Sequence, residues 1–199
     1  VDDPSQYGVV ETTADGKVQR FVEKPAPGES ESNVVNAGTY VLEPSVIDRI
    51  PAGQKISIER VVFPAMVADG TLSAMPTDDY WIDTGRPDTY LKANLDLIDG
   101  SRQSILSSIG ANAHIDASAS ITHSVIGEGC VVGAGCVVTD SVLLAGSVLG
   151  DRVRVERSMV MGSVSDESSL KDCVIGAGVV IPAGEHLQNA RVPDPEQKS

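Results

Sequence analysis

Ile121–Val160 reads ITHSVIGEGCVVGAGCVVTDSVLLAGSVLGDRVRVERSMV, with branched apolar residues recurring at Ile121, Ile126, Val132, Val138, Leu143, Leu149, Val155 and Val160. The steps are 5, 6, 6, 5, 6, 6 and 5, so every three consecutive steps span 17 residues. The same beat begins upstream at Ile109 and Ile115, and resumes at Ile175, Ile181 and Leu187 after one turn shortened by two residues. One short strand per step and three strands per coil is the signature of a hexapeptide-repeat parallel β-helix, expected here to be left-handed. Small residues precede the apolar ones by two positions, among them Ser124, Cys130, Cys136, Ser141, Ser147, Ser158 and Cys173. A three-sided coil has little room at its edges, so small and branched residues must alternate on its inner face. About five coils fit between Ile109 and Leu187, stacked at the ordinary strand spacing of ~4.8 Å.

The formal charge of −13 on 199 residues argues against binding to nucleic acid or an anionic membrane, which demands clustered Lys and Arg. No apolar run approaches the ~20 residues of a membrane-spanning helix. Three cysteines without metal-type spacing fit a reducing compartment, and the expected location is cytoplasmic. The opening Val1-Asp2-Asp3-Pro4 reads as a piece of a longer polypeptide.

Before the repeats the pattern is that of an α/β domain. Tyr7–Val10 and Lys17–Val22 flank Ala14-Asp15-Gly16, whose Asp-Gly pair predicts a tight hairpin. The second strand runs into Glu23-Lys24-Pro25, where proline is expected to hold Lys24 extended. Val34–Leu42 predicts a third strand with Asn36-Ala37-Gly38 inside it. Short helices are expected over Pro44–Ile50 and over Ile58–Ala68, capped by Ser57 and stopped by Gly70. A further strand is expected over Thr71–Pro76, leading into YWIDTGRP (Tyr80–Pro87). A helix opened by Pro87 follows, with Leu91, Leu95 and Ile98 on one face and Gly100 at its end.

FVEKP (Phe21–Pro25), NAGTY (Asn36–Tyr40) and YWIDTGRP, in that order and followed by hexapeptide repeats, resemble the sugar-phosphate nucleotidyltransferases. The resemblance extends over essentially the whole chain. It implies the C-terminal portion of a Rossmann-like α/β domain over residues 1–100, a linker at 101–108, the β-helix at 109–188 and a tail at 189–199. It lacks the Gly-rich nucleotide-binding loop with its Arg and Lys, so the chain alone is expected to be inactive. The implied reaction joins a nucleoside triphosphate to a sugar 1-phosphate, with GTP and mannose 1-phosphate favoured. Lys24 would meet the phosphate, Glu23 the sugar hydroxyls, and Asn36 and Gly38 the hexose. Asp83 would hold Mg²⁺, an ion that takes one or two carboxylates beside phosphate oxygens and water. Self-association through the β-helix is the implied assembly.

From the residues alone each site has a blander reading. Asp83 serves as a turn residue capping the Pro87 helix, Glu23 and Lys24 as an exposed ion pair, and Asn36-Gly38 as a strand bulge. Cys130, Cys136 and Cys173 read as packing, and His114, His123 and His186 as solvated. Two other functions remain open: a noncatalytic partner subunit binding a nucleotide sugar, and a hexapeptide acyltransferase, which would leave the three upstream motifs without a role.

Overall fold

The computed structural model describes residues 1, 3–102 and 106–193. It forms two compact units that divide between Trp81 and Ile82, well before the change in composition at Gly100. The Leu106 N–H donates to the Leu97 carbonyl at 3.0 Å, tying the end of the Pro87 helix to the run into the repeats. By its contacts that helix therefore groups with the solenoid.

In the first unit, β1 (Gly8–Thr12) and β2 (Val18–Glu23) form the expected antiparallel hairpin. Gly16 takes the turn with φ +82°, as the Asp-Gly pair predicts. The third strand does not form. Val34 accepts from the Val10 N–H, Asn36 donates to the Gly8 carbonyl, and only Val35 is bridged, to Val9. The chain then leaves β1 because the Asn36 Oδ1 accepts from the Gly38 N–H at 3.2 Å, bending the backbone where Gly38 has φ +75°. Thr71–Pro76 likewise shrinks to a single bridge between Ser73 and Lys17, with Pro76 offering no N–H to prolong it.

Pro44–Arg49 is a 3-10 helix. Ile58–Val62 makes one π turn before α1 (Phe63–Ala68), and the Ser57 hydroxyl caps the start by accepting from Arg60 N at 3.2 Å. Pro64 lacks the N–H that would continue one uninterrupted α-helix. Val46, Val62, Phe63 and Met66 form this unit's small core, with Phe21, Ile56, Ile58 and Leu72 against it.

The second unit holds α2 (Pro87–Asp96) and the solenoid. Ala93 and Asp96 are the buried positions of α2, while Leu91, Leu95 and Ile98 are half-buried. Beyond it lie three parallel five-stranded sheets. One stacks Ile115, Val132, Leu149, Val164 and Ile181. The next stacks Ile121, Val138, Val155, Leu170 and Leu187. The third stacks Ile126, Leu143, Val160, Ile175 and Val192. Partners are 17 residues apart except across the shortened coil, where Val155 meets Leu170 after 15. Val164 and Leu170 are the inward residues that the broken rhythm hid. Arg191–Val192 pairs with Val174–Ile175, so the solenoid runs past Leu187 into the expected tail. The rest of that tail, 194–199, and linker residues 103–105 lie outside the described residues.

The solenoid's interior polar groups are satisfied in a ladder. Ser124, Ser141 and Ser158 each donate to the carbonyl two residues back. Each also accepts an N–H from the coil above: Ser141 N, Ser158 N and Cys173 N, at 2.9–3.0 Å. At Gly127 a Cβ would come within 2.6 Å of Ala145 N in the next coil, so no other residue fits that corner.

Candidate functional site

The motif residues of the first unit converge on Gly8. Glu23 closes β2 directly opposite Gly8. On the other side of β1, the Asn36 N–H donates to the Gly8 carbonyl at 2.7 Å. A Cβ on Gly8 would lie 2.9 Å from both Glu23 Oε2 and the Phe21 ring, so a glycine there lets Glu23 lie close over β1. Lys24 is exposed and its N–H donates to the Tyr7 carbonyl at 2.9 Å. Its φ is +54°, left-handed rather than extended. The hairpin bond to Tyr7 overrides the preference that the following proline imposes, and the backbone turns sharply at the cationic side chain. Among the described residues Glu23 and Lys24 do not form the ion pair that their adjacency suggests. Both side chains stay open to a ligand.

Gly38 has nothing within 4 Å of where its Cβ would stand. Glycine is called for there by its positive φ, with open space beside it. Asn36 is held at both ends of its amide: Nδ2 donates to the Tyr40 hydroxyl at 2.6 Å, and Oδ1 accepts from Gly38 N. Gly8, Tyr40 and Trp81 contact these motif residues and were not among the expected candidates. Gly8 and Tyr40 each carried a signal: a glycine inside a strand, and a tyrosine four residues after an asparagine.

Asp83 is exposed in the turn before α2. Its Oδ1 accepts from Gly85 N at 2.8 Å in an Asx turn. It does not cap the helix: the N-cap is Arg86, which makes no side-chain cap bond. Arg86 is paired to Asp88 instead. Among the described residues no group of three or more His, Cys, Asp or Glu side chains could enclose a metal. A single exposed carboxylate does suit a partial Mg²⁺ site that other oxygens complete.

The cysteines are buried and the histidines are exposed, as expected. Cys130, Cys136 and Cys173 are buried free thiols, and burial pushes the Cys130 and Cys136 thiols up. His123 faces Asp140 at 2.6 Å and His186 faces Ser169 at 2.7 Å on the solenoid's exterior.

These motifs mark out a class. Residues 1–100 match the Nucleotidyl transferase family, and residues 107–140 match the Bacterial transferase hexapeptide (six repeats) family. The chain belongs to the nucleotidyl transferase family, with a hexapeptide-repeat solenoid following the transferase portion. It is 39% identical over 196 residues, 96% of its length, to a probable mannose-1-phosphate guanylyltransferase 3 of Oryza sativa subsp. japonica. A mannose-1-phosphate guanylyltransferase of Mycobacterium tuberculosis is 35% identical over 81% of the chain. One of Schizosaccharomyces pombe is 42% identical over 61%. The chain spans about half the length of the rice and mycobacterial relatives, 52% and 45%, and its match covers 35% of the yeast one.

Proposed function

We propose that this chain carries the sugar-phosphate side of an enzyme that makes a nucleotide sugar and pyrophosphate, with GTP and mannose 1-phosphate as its substrates. The reading rests on the meeting of Glu23-Lys24 and Asn36 across Gly8, in a chain whose relatives bear that activity in their names. In the reaction a phosphate oxygen of the sugar 1-phosphate attacks the α-phosphorus of the triphosphate. A new P–O bond forms as the bond to the β-phosphate breaks, and pyrophosphate leaves with the electron pair. Both reactants are anions, so positioning and charge neutralisation are what the protein must supply. Lys24 offers a compact positive charge for the sugar phosphate, its backbone already turned outward. Glu23 accepts from sugar hydroxyls, Asn36 both donates and accepts, and Gly38 leaves room for the ring. Asp83 would hold Mg²⁺, which when bound neutralises phosphate charge.

No group described here cradles a triphosphate, so this chain by itself should release no pyrophosphate from GTP and mannose 1-phosphate. Joined to a nucleotide-binding half it should turn over, and Lys24→Ala should raise KM for the sugar phosphate more than for GTP. Turnover by the chain alone, or a Lys24→Ala effect confined to GTP, would sink the assignment.

Self-association through the solenoid is supported by the outward-facing valines Val131, Val148 and Val180, which stand exposed on one sheet. Light scattering tests it. The buried, unpaired thiols support a cytoplasmic home.

A further inference from the structure

We infer that Tyr40 is a positioning residue: its hydroxyl, with the Trp81 indole, clamps the Asn36–Gly38 bend and fixes the amide face that a sugar hydroxyl meets. This rests on the sugar-phosphate reading above.

The Asn36 amide is held by two bonds of opposite sense. Oδ1 accepts from Gly38 N at 3.2 Å and Nδ2 donates to Tyr40 Oη at 2.6 Å. A flipped amide would set a donor against the Gly38 N–H, so only one orientation keeps both bonds. That orientation uses one Nδ2 proton and one Oδ1 lone pair, and the other of each, with the phenol's own proton, stays available to a ligand. Together they can match one or two ring hydroxyls.

The phenol is itself anchored. Its ring packs edge-on at 4.9 Å against Phe63, which is buried and meets Phe21 at 5.3 Å. Within the bend itself, the Ala37 carbonyl accepts from Trp81 Nε1 at 3.4 Å. The Trp81 ring in turn meets Tyr7 edge-on at 5.3 Å, and the Tyr7 carbonyl holds Lys24 N. One aromatic pair thus spans both motifs: it touches the asparagine bend at one end and the lysine turn at the other. Ring packing alone would need no hydroxyl on Tyr40, so the oxygen is the part whose role is positional.

The test uses the ¹⁵N-labelled 199-residue chain, with the Asn36 side-chain amide assigned through Asn36→Asp. Tyr40→Phe keeps the ring on Phe63 and removes the oxygen, whereas Tyr40→Ala removes both. Tyr40→Phe should shift the Asn36 amide pair and speed its proton exchange while the melting temperature stays put; Tyr40→Ala should lower the melting temperature too. Titration with mannose 1-phosphate should saturate in the parent, and Tyr40→Phe should weaken that binding about 5–10-fold, the scale of one lost hydrogen bond. Binding of inorganic phosphate should be unchanged. An unmoved Asn36 amide in Tyr40→Phe, or a moved amide with undiminished sugar affinity, overturns the positioning role. A parent chain that ignores mannose 1-phosphate, with the amide still moved by Tyr40→Phe, supports the clamp and sinks the sugar reading instead.

Discussion

The solenoid and the hairpin unit treat their apolar residues in opposite ways. In the middle coils every inward residue is closed off by the coil on either side, and Ile126, Val138, Leu143 and Ile175 are fully buried. In the hairpin unit, by contrast, Val41 is 100% exposed, Met75 88% and Ile47 69%. A solenoid coil needs only its neighbours, so its stability accumulates locally along the axis. The hairpin unit assembles residues distant in sequence around Phe63, and it completes neither the strand after Val35 nor the one around Ser73. Local repetition yields a closed core; a site assembled from loops leaves surface and polar groups available for ligands.

The largest expected effect tests the closed core. Val132→Asp puts an unpaired carboxylate on a fully inward position, which costs several kcal/mol or forces the group to stay neutral. Circular dichroism should show lost β signal and the melting transition should fall sharply. An unchanged melt would mean that Val132 does not point inward.

Next comes the turn before α2. In an enzyme completed with a nucleotide-binding half, Asp83→Asn keeps the turn to Gly85 but removes the charge, and kcat should drop ~10²-fold or more. Normal kcat with normal Mg²⁺ dependence would reduce Asp83 to a turn residue.

Smaller is the effect of breaking the interior ladder. Ser158→Ala leaves the buried Cys173 N–H without the hydroxyl that accepts it at 2.9 Å. That should cost about 1–3 kcal/mol in chemical denaturation. Ser158→Cys should recover part of it, since Cys173 occupies the next rung of the same column. Equal stability of Ala and parent would show that the ladder adds nothing beyond shape.

The smallest effect belongs to the solenoid's surface. Asp172 receives two bonds from Arg157, at 2.8 and 3.0 Å, and the guanidinium holds its carboxyl below the usual range. A depressed carboxyl stabilises above its unfolded pKa, about 3.9, and loses that contribution as pH falls through its lower folded value. Asp172→Asn should therefore melt slightly lower near neutrality and converge with the parent in acid. Asparagine tolerates the φ of +54° at this corner, so backbone strain does not confuse the comparison. A constant gap at every pH would exclude the ion pair as its source.

Much of the solenoid was legible because its rule is local. A step of five or six residues names each inward position, and the small residues two before it are where the buried serines and cysteines stand. The rhythm misled at Ile109, which stands 47% exposed at the start of the solenoid, where a coil lost two residues, hiding Val164 and Leu170, and at Arg191–Val192, where polar neighbours masked one more rung. The hairpin and the Ser57 cap were legible for the same reason, each being decided within a few residues of its signal.

The sequence by itself determined the motifs, their order and the repeat, because spacing and residue type suffice for those. Tertiary structure decided the rest. Proline's preference at Lys24 yielded to the hydrogen bond its N–H donates to the Tyr7 carbonyl, and the strand expected over Val34–Leu42 yielded to the bend between Asn36 and Gly38. Gly8 became the point where Glu23 and Asn36 meet, and Tyr40 became the partner of Asn36 because Phe63 holds its ring. Local propensities are worth a kcal/mol or so per residue. Hydrogen bonds and ring contacts between segments distant in sequence outweigh them, and those contacts can be seen only once the chain has folded.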